Sequence, residues 1–153
     1  MADVFLSFNH EEEKIANAVQ RFLEDKLNRG TVFMSADRWQ VFAGEIWLDR
    51  IEQELDSAKV VILLLSQDSV GRPWVNFEAG AAWLAKKAVI PVCFGNLSKE
   101  NLPKPYSGIM ALALPDEAGC LLQSVAHHLH LVPPEPMGDE DEAFIRLRSE
   151  FAR

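Results

Sequence analysis

The sequence has few cysteines and few basic residues. Its two cysteines, Cys93 and Cys120, lack the CxxC spacing of zinc and redox sites, and Cys93 lies in an apolar run typical of a core residue. The 15 Lys and Arg are outnumbered by 23 Asp and Glu. The resulting net charge of −8 argues against binding along a nucleic-acid backbone. We therefore expect no direct nucleic-acid partner.

Long apolar runs and several catalytic motifs are also missing. The longest apolar run, VVILLL at 60–65, is too short to cross a bilayer, and the first residues do not resemble a secretory signal. The motifs GxGxxG and GxSxG and the Walker loop are absent. His127 and His130 share a helix face, but no further ligands complete a metal site nearby. We expect a cytoplasmic protein with no membrane partner and no metal.

Short apolar runs alternate with helical patterns along most of the chain. The sequence predicts strands at 3–8, 31–35, 59–66, 88–94 and 109–114, and helices at 10–30, 44–58, 73–86 and 118–131. The third strand is apolar without alternation, as expected of a strand covered on both faces. This order predicts a three-layer α/β fold, in which a five-stranded parallel sheet carries helices on both faces.

The end of the chain differs in composition. Residues 132–142 combine proline, glycine and an acidic run, which is typical of a linker, and residues 143–153 are amphipathic enough for a short helix. We therefore predict one domain over 1–131, followed by a linker and a short C-terminal helix or tail over 132–153.

Glu78 is conspicuous within RPWVNFEAGAAWL at 72–84, a stretch that otherwise reads as a buried helix. A carboxylate buried there costs several kcal/mol unless it has a partner. Trp74 lies four residues earlier and hence on the same helix face. The structural alternative is a glutamate that pairs with Arg or Lys or reaches solvent. Gly80 in the same helix costs roughly 0.5–1 kcal/mol against alanine, which suggests a need for close packing or access.

Ligands of open α/β sheets bind beyond the carboxyl ends of the strands. In this sequence that rim collects Phe8–His10, Ser35–Gly44 and Ser66–Arg72. The first half of the helix that carries Trp74 and Glu78 faces the same rim. The sequence therefore predicts a site there, with a stacking surface beside an anion.

The order of these motifs resembles that of Toll/interleukin-1 receptor (TIR) domains of the prokaryotic branch. The resemblance rests on DVFLSF before a long helix, on SADRWQVFAGEIWLDRIEQEL, and on AKVVILLLSQDSVGRPWVNFEAGAAW with its Trp-x-x-x-Glu pattern. It covers roughly 1–131 and implies a flavodoxin-like sheet. It also implies two functional styles, namely adaptors that self-associate and enzymes that cleave NAD.

For the enzymatic style, the resemblance implies an NAD glycohydrolase that releases nicotinamide and ADP-ribose or a cyclic variant. Glu78 would be catalytic, and NAD would be the substrate, with no cofactor. The substrate-binding residues would be Phe8, Asn9, His10, Arg38, Trp39, Ser66, Arg72 and Trp74. The implied setting is bacterial antiphage defence, with activation by homo-oligomerisation of TIR domains and a fused or partner sensor domain.

Each assignment has a structural alternative. Phe8 could end a core strand, Asn9 could cap a helix, and Ser66 and Arg72 could serve in capping and solvation. Arg38 and Trp39 could belong to a surface loop. The alternative function is a non-catalytic TIR scaffold, for which the carboxylate of Glu78 has no chemical use. A deoxyribosyltransferase-like enzyme is a third reading, which the 35–58 stretch does not support.

Overall fold

The protein, seen in a computed structural model that describes residues 2–28, 32–36 and 47–152, contains a five-stranded parallel sheet. The strands are β1 (Val4–Phe8), β2 (Val32–Ala36), β3 (Val60–Leu65), β4 (Ala88–Cys93) and β5 (Leu112–Ala113). Their order is β2-β1-β3-β4-β5, and every neighbouring pair is parallel. The predicted α/β class and parallel sheet are confirmed.

In the described ranges, five α-helices connect and flank the strands. They are α1 (Glu13–Leu27), α2 (Trp47–Ser57), α3 (Pro73–Leu84), α4 (Ala118–His128) and α5 (Glu142–Phe151). The predicted helix over 10–30 begins with a 3-10 turn at His10–Glu12 and ends at Leu27. Asn28 follows with a left-handed φ of 54°, so the helix ends before residue 30, the predicted end.

The hydrophobic core lies on both faces of the sheet. On one face, Val4, Leu6 and Phe8 of β1 pack with α1, α4 and α5. On the other face, Phe5 packs with residues of α2 and α3. All six residues of β3 are buried, which confirms that this strand is covered on both faces.

The fifth strand is shorter than the sequence predicts. Only Leu112 and Ala113 pair with β4, through Val92 and Cys93, whereas the prediction covers 109–114. Apolar composition made the whole stretch resemble a strand, but Met110 is 87% exposed. Composition marks residues that can be buried, and it does not fix how many of them pair at a sheet edge.

The C-terminal helix packs onto the rest of the fold. Leu147 of α5 is 2% exposed and belongs to the core cluster around α1, and the Phe151 ring lies 6.0 Å from the ring of Phe94. Lys26 of α1 forms a 2.6 Å ion pair with Asp141. Helix α5 therefore contributes to the same core as the sheet. No helix in the described part of the chain is long and apolar enough to cross a membrane.

Candidate active site

Two serines face the same helix from neighbouring strands. Ser7 of β1 is the register partner of Ser35 of β2, and each is the second-last residue of its strand. Side chains alternate along a strand, so Ser7 lies on the face of Phe5, which is the face that α3 covers. Both serines are completely buried.

The carboxylate of Glu78 lies between these serines. The Ser7 hydroxyl donates to Oε1 of Glu78 at 2.5 Å, and the Ser35 hydroxyl donates to Oε2. Glu78 is 0% exposed, and the two hydrogen bonds compensate for the removal of its oxygens from water. The structure thus brings Glu78 to the carboxyl ends of β1 and β2, but as a buried group and not at an open edge.

Helix α3 begins where the sequence predicts and carries Glu78 in its second turn. Pro73 occupies the first turn, where its missing N–H has no helical partner to lose. Trp74, one turn before Glu78, is half-buried against the α2 and α3 core and stacks on Phe77 with ring centroids 5.7 Å apart. Its ring therefore contributes to packing and keeps part of its surface accessible.

A glycine inside a helix can indicate close packing, but the surroundings of Gly80 do not require it. It lies on the exposed side of α3, and a Cβ added there would meet no heavy atom within 4 Å. It lines a mostly apolar groove of about 470 Å³ between α3 and residues 105–109. The absent side chain leaves this outer groove open and does not bring the helix closer to the sheet.

Phe8, the last residue of β1, and the two residues that follow it differ in their surroundings. Phe8 is 3% exposed and lies in the core on the face opposite to Glu78, so the structure does not bring its side chain to the carboxylate. Asn9 is fully buried and caps the 3-10 turn, because its side-chain oxygen accepts from the N–H of Glu11 at 3.4 Å. Its Nδ2 has no hydrogen-bond partner among the described residues. His10 is half-buried and opens the turn.

The loop after β3 is held by serine hydroxyls. The Ser69 hydroxyl accepts from the N–H of Ser66 at 2.8 Å, and the Ser66 hydroxyl accepts from the N–H groups of Asp68 and Ser69, both at 3.2 Å. These bonds give Ser66 the structural capping role that was its alternative reading. They also fix the rim of the site beside β1.

Glu12 is a rim residue that the sequence reading did not single out. Burial raises the pKa of its carboxyl above the usual value, and the nearby hydroxyls of Ser66 and Ser69 partly offset this increase. Its Oε1 has no hydrogen-bond partner within the described ranges. Only its place three residues after Asn9 could have marked it, since the neighbouring glutamates look equally suited to a first helical turn.

Arg72 contacts both the loop after β3 and the turn after β1. Its Nε donates to the carbonyl of Asp68 at 3.3 Å, and its guanidinium lies 3.7 Å from the carboxylate of Glu11. The pair is largely exposed and therefore weak. Arg72 thus lies at the rim next to the segment after β1, as the strand order requires.

Two predicted residues, Arg38 and Trp39, lie outside the described residues.

The sequence reading included Ser35 in the rim but not as a partner of Glu78, and it missed Ser7. The signal was a serine at the corresponding place in FLSF and VFMSA, next to the end of each strand. Within the described part of the chain, no cluster of three His, Cys, Asp or Glu residues could hold a metal ion.

The arrangement presents one carboxylate at the carboxyl ends of β1 and β2, with a hydroxyl donor on each of its oxygens. A hydroxyl carries no positive charge, and an ionised carboxylate can stabilise a positive charge that develops nearby. Trp74 lies one helical turn away on the same helix face, and the amide of Asn9 follows β1 directly. These groups suit a substrate that combines a flat ring with hydroxyls.

Comparisons with known proteins agree with this description. Residues 4–121 match the family described as TIR domain, whereas no curated protein sequence matches. A TIR-STING receptor from C. gigas in complex with 2',3'-cGAMP superposes with a TM-score of 0.60 at 21% identity, over 90% of this chain and 42% of that one.

The TIR domain of the Toll-related receptor TRR-2 from Hydra magnipapillata also has a TM-score of 0.60, at 12% identity, over 80% of this chain and 91% of that one. At these identities the solved structures show the fold alone, and the chain spans less than half of the TIR-STING receptor. Because the family match covers most of the sequence, the chain belongs to the TIR-domain family, which includes NADases.

Proposed function

We propose that this chain cleaves NAD at the nicotinamide–ribose bond, with Glu78 as the catalytic carboxylate. The observation that carries the proposal is the position of Glu78 at the carboxyl ends of β1 and β2, with hydroxyl donors on both of its oxygens. In open α/β sheets this is the end at which ligands bind. The TIR family supplies the substrate class.

A single carboxylate is enough for this reaction. Ordinary glycosidases need a second carboxylic acid to protonate the leaving oxygen. Nicotinamide is a cationic pyridinium in NAD, so it leaves as a neutral molecule and keeps the electron pair of the broken C–N bond. The ribose develops oxocarbenium-like charge, which an anion held in place can stabilise. Water then adds to the ribose carbon and loses a proton, giving ADP-ribose, or a hydroxyl of the same molecule adds and gives a cyclic product.

The substrate contacts proposed from the structure follow the rim. Trp74 offers a partly accessible ring, the Nδ2 of Asn9 offers a donor, and Arg72 lies where it can meet a phosphate. His10 and Ser66 border the same region. Phe8 can contribute only through its backbone, because its side chain lies on the other face. Arg38 and Trp39 remain assignments that rest on the resemblance.

The burial of Glu78 bears on how the activity is controlled. Because Glu78 is 0% exposed, the resting conformation gives the ribose no path to the carboxylate. Catalysis therefore requires a rearrangement of the rim. We assign that rearrangement to self-assembly, in which one TIR domain completes the site of its neighbour.

A surface on α3 supports this assembly. Phe77, Trp83 and Leu84 are 56%, 69% and 76% exposed, an unusual concentration of large apolar side chains on one helix. A second copy of the chain is the proposed occupant. The wider proposal is an effector of bacterial antiphage defence in the cytoplasm, with a fused or partner sensor domain.

A non-catalytic scaffold would use the same surface without chemistry at Glu78. The two readings separate when nicotinamide release from NAD is measured over a wide range of protein concentrations, with and without a crowding agent. The enzyme reading predicts release that rises faster than linearly with protein concentration. The absence of release under every condition would favour the scaffold, and a strictly linear rise would contradict activation by assembly.

A further inference from the structure

We propose that Ser7 and Ser35 are positioning residues for Glu78, each fixing one oxygen of its carboxylate for catalysis. This inference rests on the proposed NAD cleavage, because it assigns two further residues to that site. Neither serine belongs to the substrate-binding residues assigned from the sequence. Their role follows from the sheet register and from the hydrogen bonds.

The sheet sets the two hydroxyls at a spacing that suits one carboxylate. Neighbouring strands lie about 4.8 Å apart, and register partners on one face stand directly side by side. Ser7 and Ser35 are such partners, so their hydroxyls approach the carboxylate from its two sides. Each donates to a different oxygen of Glu78, which fixes the plane of the carboxylate as well as its position.

The surroundings leave little reason for serine at either place other than this contact. All five residues of β1 are buried, and Ser7 pairs in register with Leu63, a core residue of β3. Ser35 is likewise completely buried. A buried hydroxyl without a partner is costly, and both hydroxyls satisfy that need on the same carboxylate.

Neutral donors suit the chemistry better than a cation would. An Arg or Lys partner would cancel much of the negative charge that the oxocarbenium-like ribose needs. A hydroxyl donor holds an oxygen of the carboxylate without adding a positive charge of its own. A carboxylate has about four acceptor sites, so a ribose hydroxyl can bind to Glu78 while both serines stay in place.

The test compares Ser7→Ala, Ser35→Ala and the double variant with the wild-type chain. We expect each single change to lower kcat roughly tenfold or more with KM little altered, since a loosened catalytic group weakens mainly the transition state. Ser7→Thr, which keeps the hydroxyl, should recover part of kcat. Ser57→Ala, a serine of α2 bonded to the carbonyls of Ala2 and Glu54, serves as control and should leave both constants unchanged.

A spectroscopic measurement keeps the test independent of turnover. The infrared difference between wild type and Glu78→Gln isolates the carboxylate stretching bands of Glu78, and loss of one hydroxyl donor should shift these bands. Ser7→Cys, with a side chain of similar shape and a weak donor, replaces Ser7→Ala if the alanine variant does not fold.

The possible outcomes separate the inference from the proposed function. Shifted bands with reduced kcat support it. Unshifted bands, or an unchanged kcat in both alanine variants of an active enzyme, overturn it. If the wild-type chain releases no nicotinamide under any condition, the proposed function fails, and the positioning role in catalysis fails with it even where the bands shift.

Discussion

Ser7 and Ser35 lie directly opposite each other on β1 and β2, and their hydroxyls meet on the carboxylate of Glu78. This contact links two strands to α3 through a polar group inside an otherwise apolar layer. It explains how a glutamate is accommodated in a helix that buries Val75, Ala79 and Ala82. Within the described residues, hydroxyls donate to both oxygens of this glutamate.

The packing of α5 predicts a large effect of Leu147→Ala. Leu147 is 2% exposed in the core cluster shared with α1, so its truncation should lower the free energy of unfolding by about 2–5 kcal/mol. Ile145→Ala, on the same helix at 43% exposure, should cost well under half as much. Urea unfolding followed by circular dichroism measures both. Equal effects of the two changes would show that α5 is not part of the core.

Asp141 predicts a pH-dependent contribution to stability. Its pKa is held below the usual range by the ion pair with Lys26 and then by the N–H of Phe144, which it caps at 3.1 Å. Because its pKa is lower in the folded state than the ordinary value of 3.8, ionised Asp141 stabilises the fold at pH values above 3.8. This contribution is lost as the pH falls through the folded-state pKa.

Two variants separate the cap from the charge of Asp141. Asp141→Ala loses both and should cost about 1 kcal/mol or more at neutral pH, whereas Asp141→Asn keeps an acceptor for the cap and should cost less. Unfolding free energies measured between neutral pH and pH about 3 check this. The difference between wild type and Asp141→Asn should shrink towards the acid end, and a difference that stays constant would contradict the ion pair.

We expect two glycine substitutions to change the free energy of unfolding in opposite directions. Gly80→Ala should stabilise the fold by about 0.5–1 kcal/mol, because the new methyl group meets open space and alanine favours the helix. Gly95→Ala should destabilise it by about 1 kcal/mol, since Gly95 has a φ of +67°. Thermal unfolding of both variants measures the two shifts. Destabilisation by Gly80→Ala would mean that the groove beside it is filled in the folded protein.

The exposed face of α3 predicts a variant that separates assembly from folding. Trp83 is 69% exposed, so Trp83→Ala should leave the unfolding free energy nearly unchanged and should raise the protein concentration at which nicotinamide release accelerates. Met110→Ala, at a residue 87% exposed outside this helix, is the matched control. If the kinetics of Trp83→Ala equal those of wild type, this surface takes no part in the assembly.

Most strands could be predicted from the sequence, because a short apolar run between turn residues is typical of a buried strand. VVILLL could hardly be anything but a central strand, and it is β3. The same patterns predicted that Glu78 would lie at the carboxyl ends of the strands. They could not show its partners, because the pairing of Ser7 with Ser35 depends on the register of two strands that are far apart in sequence.

Other features of the site depend on geometry that no local pattern encodes. The side chain of Phe8 turns away from Glu78 because alternation along β1 places it with Val4 and Leu6. The packing of Leu147 depends on where residues 132–141 carry the chain. Burial of Glu12 arises only when the loop after β3 covers it, since in the sequence it is one of three consecutive glutamates.

The most direct test of the account is nicotinamide release by Glu78→Gln, measured at concentrations and crowding at which the wild-type chain is active. Glutamine keeps the shape of the side chain and can still bond to Ser7 and Ser35, so the variant should fold like wild type by circular dichroism. Glu52→Gln, on the exposed face of α2, controls for the loss of one negative charge. We predict that the rate of Glu78→Gln falls at least about 100-fold, whereas the rate of Glu52→Gln stays at the wild-type value. Turnover retained by a folded Glu78→Gln variant would contradict it.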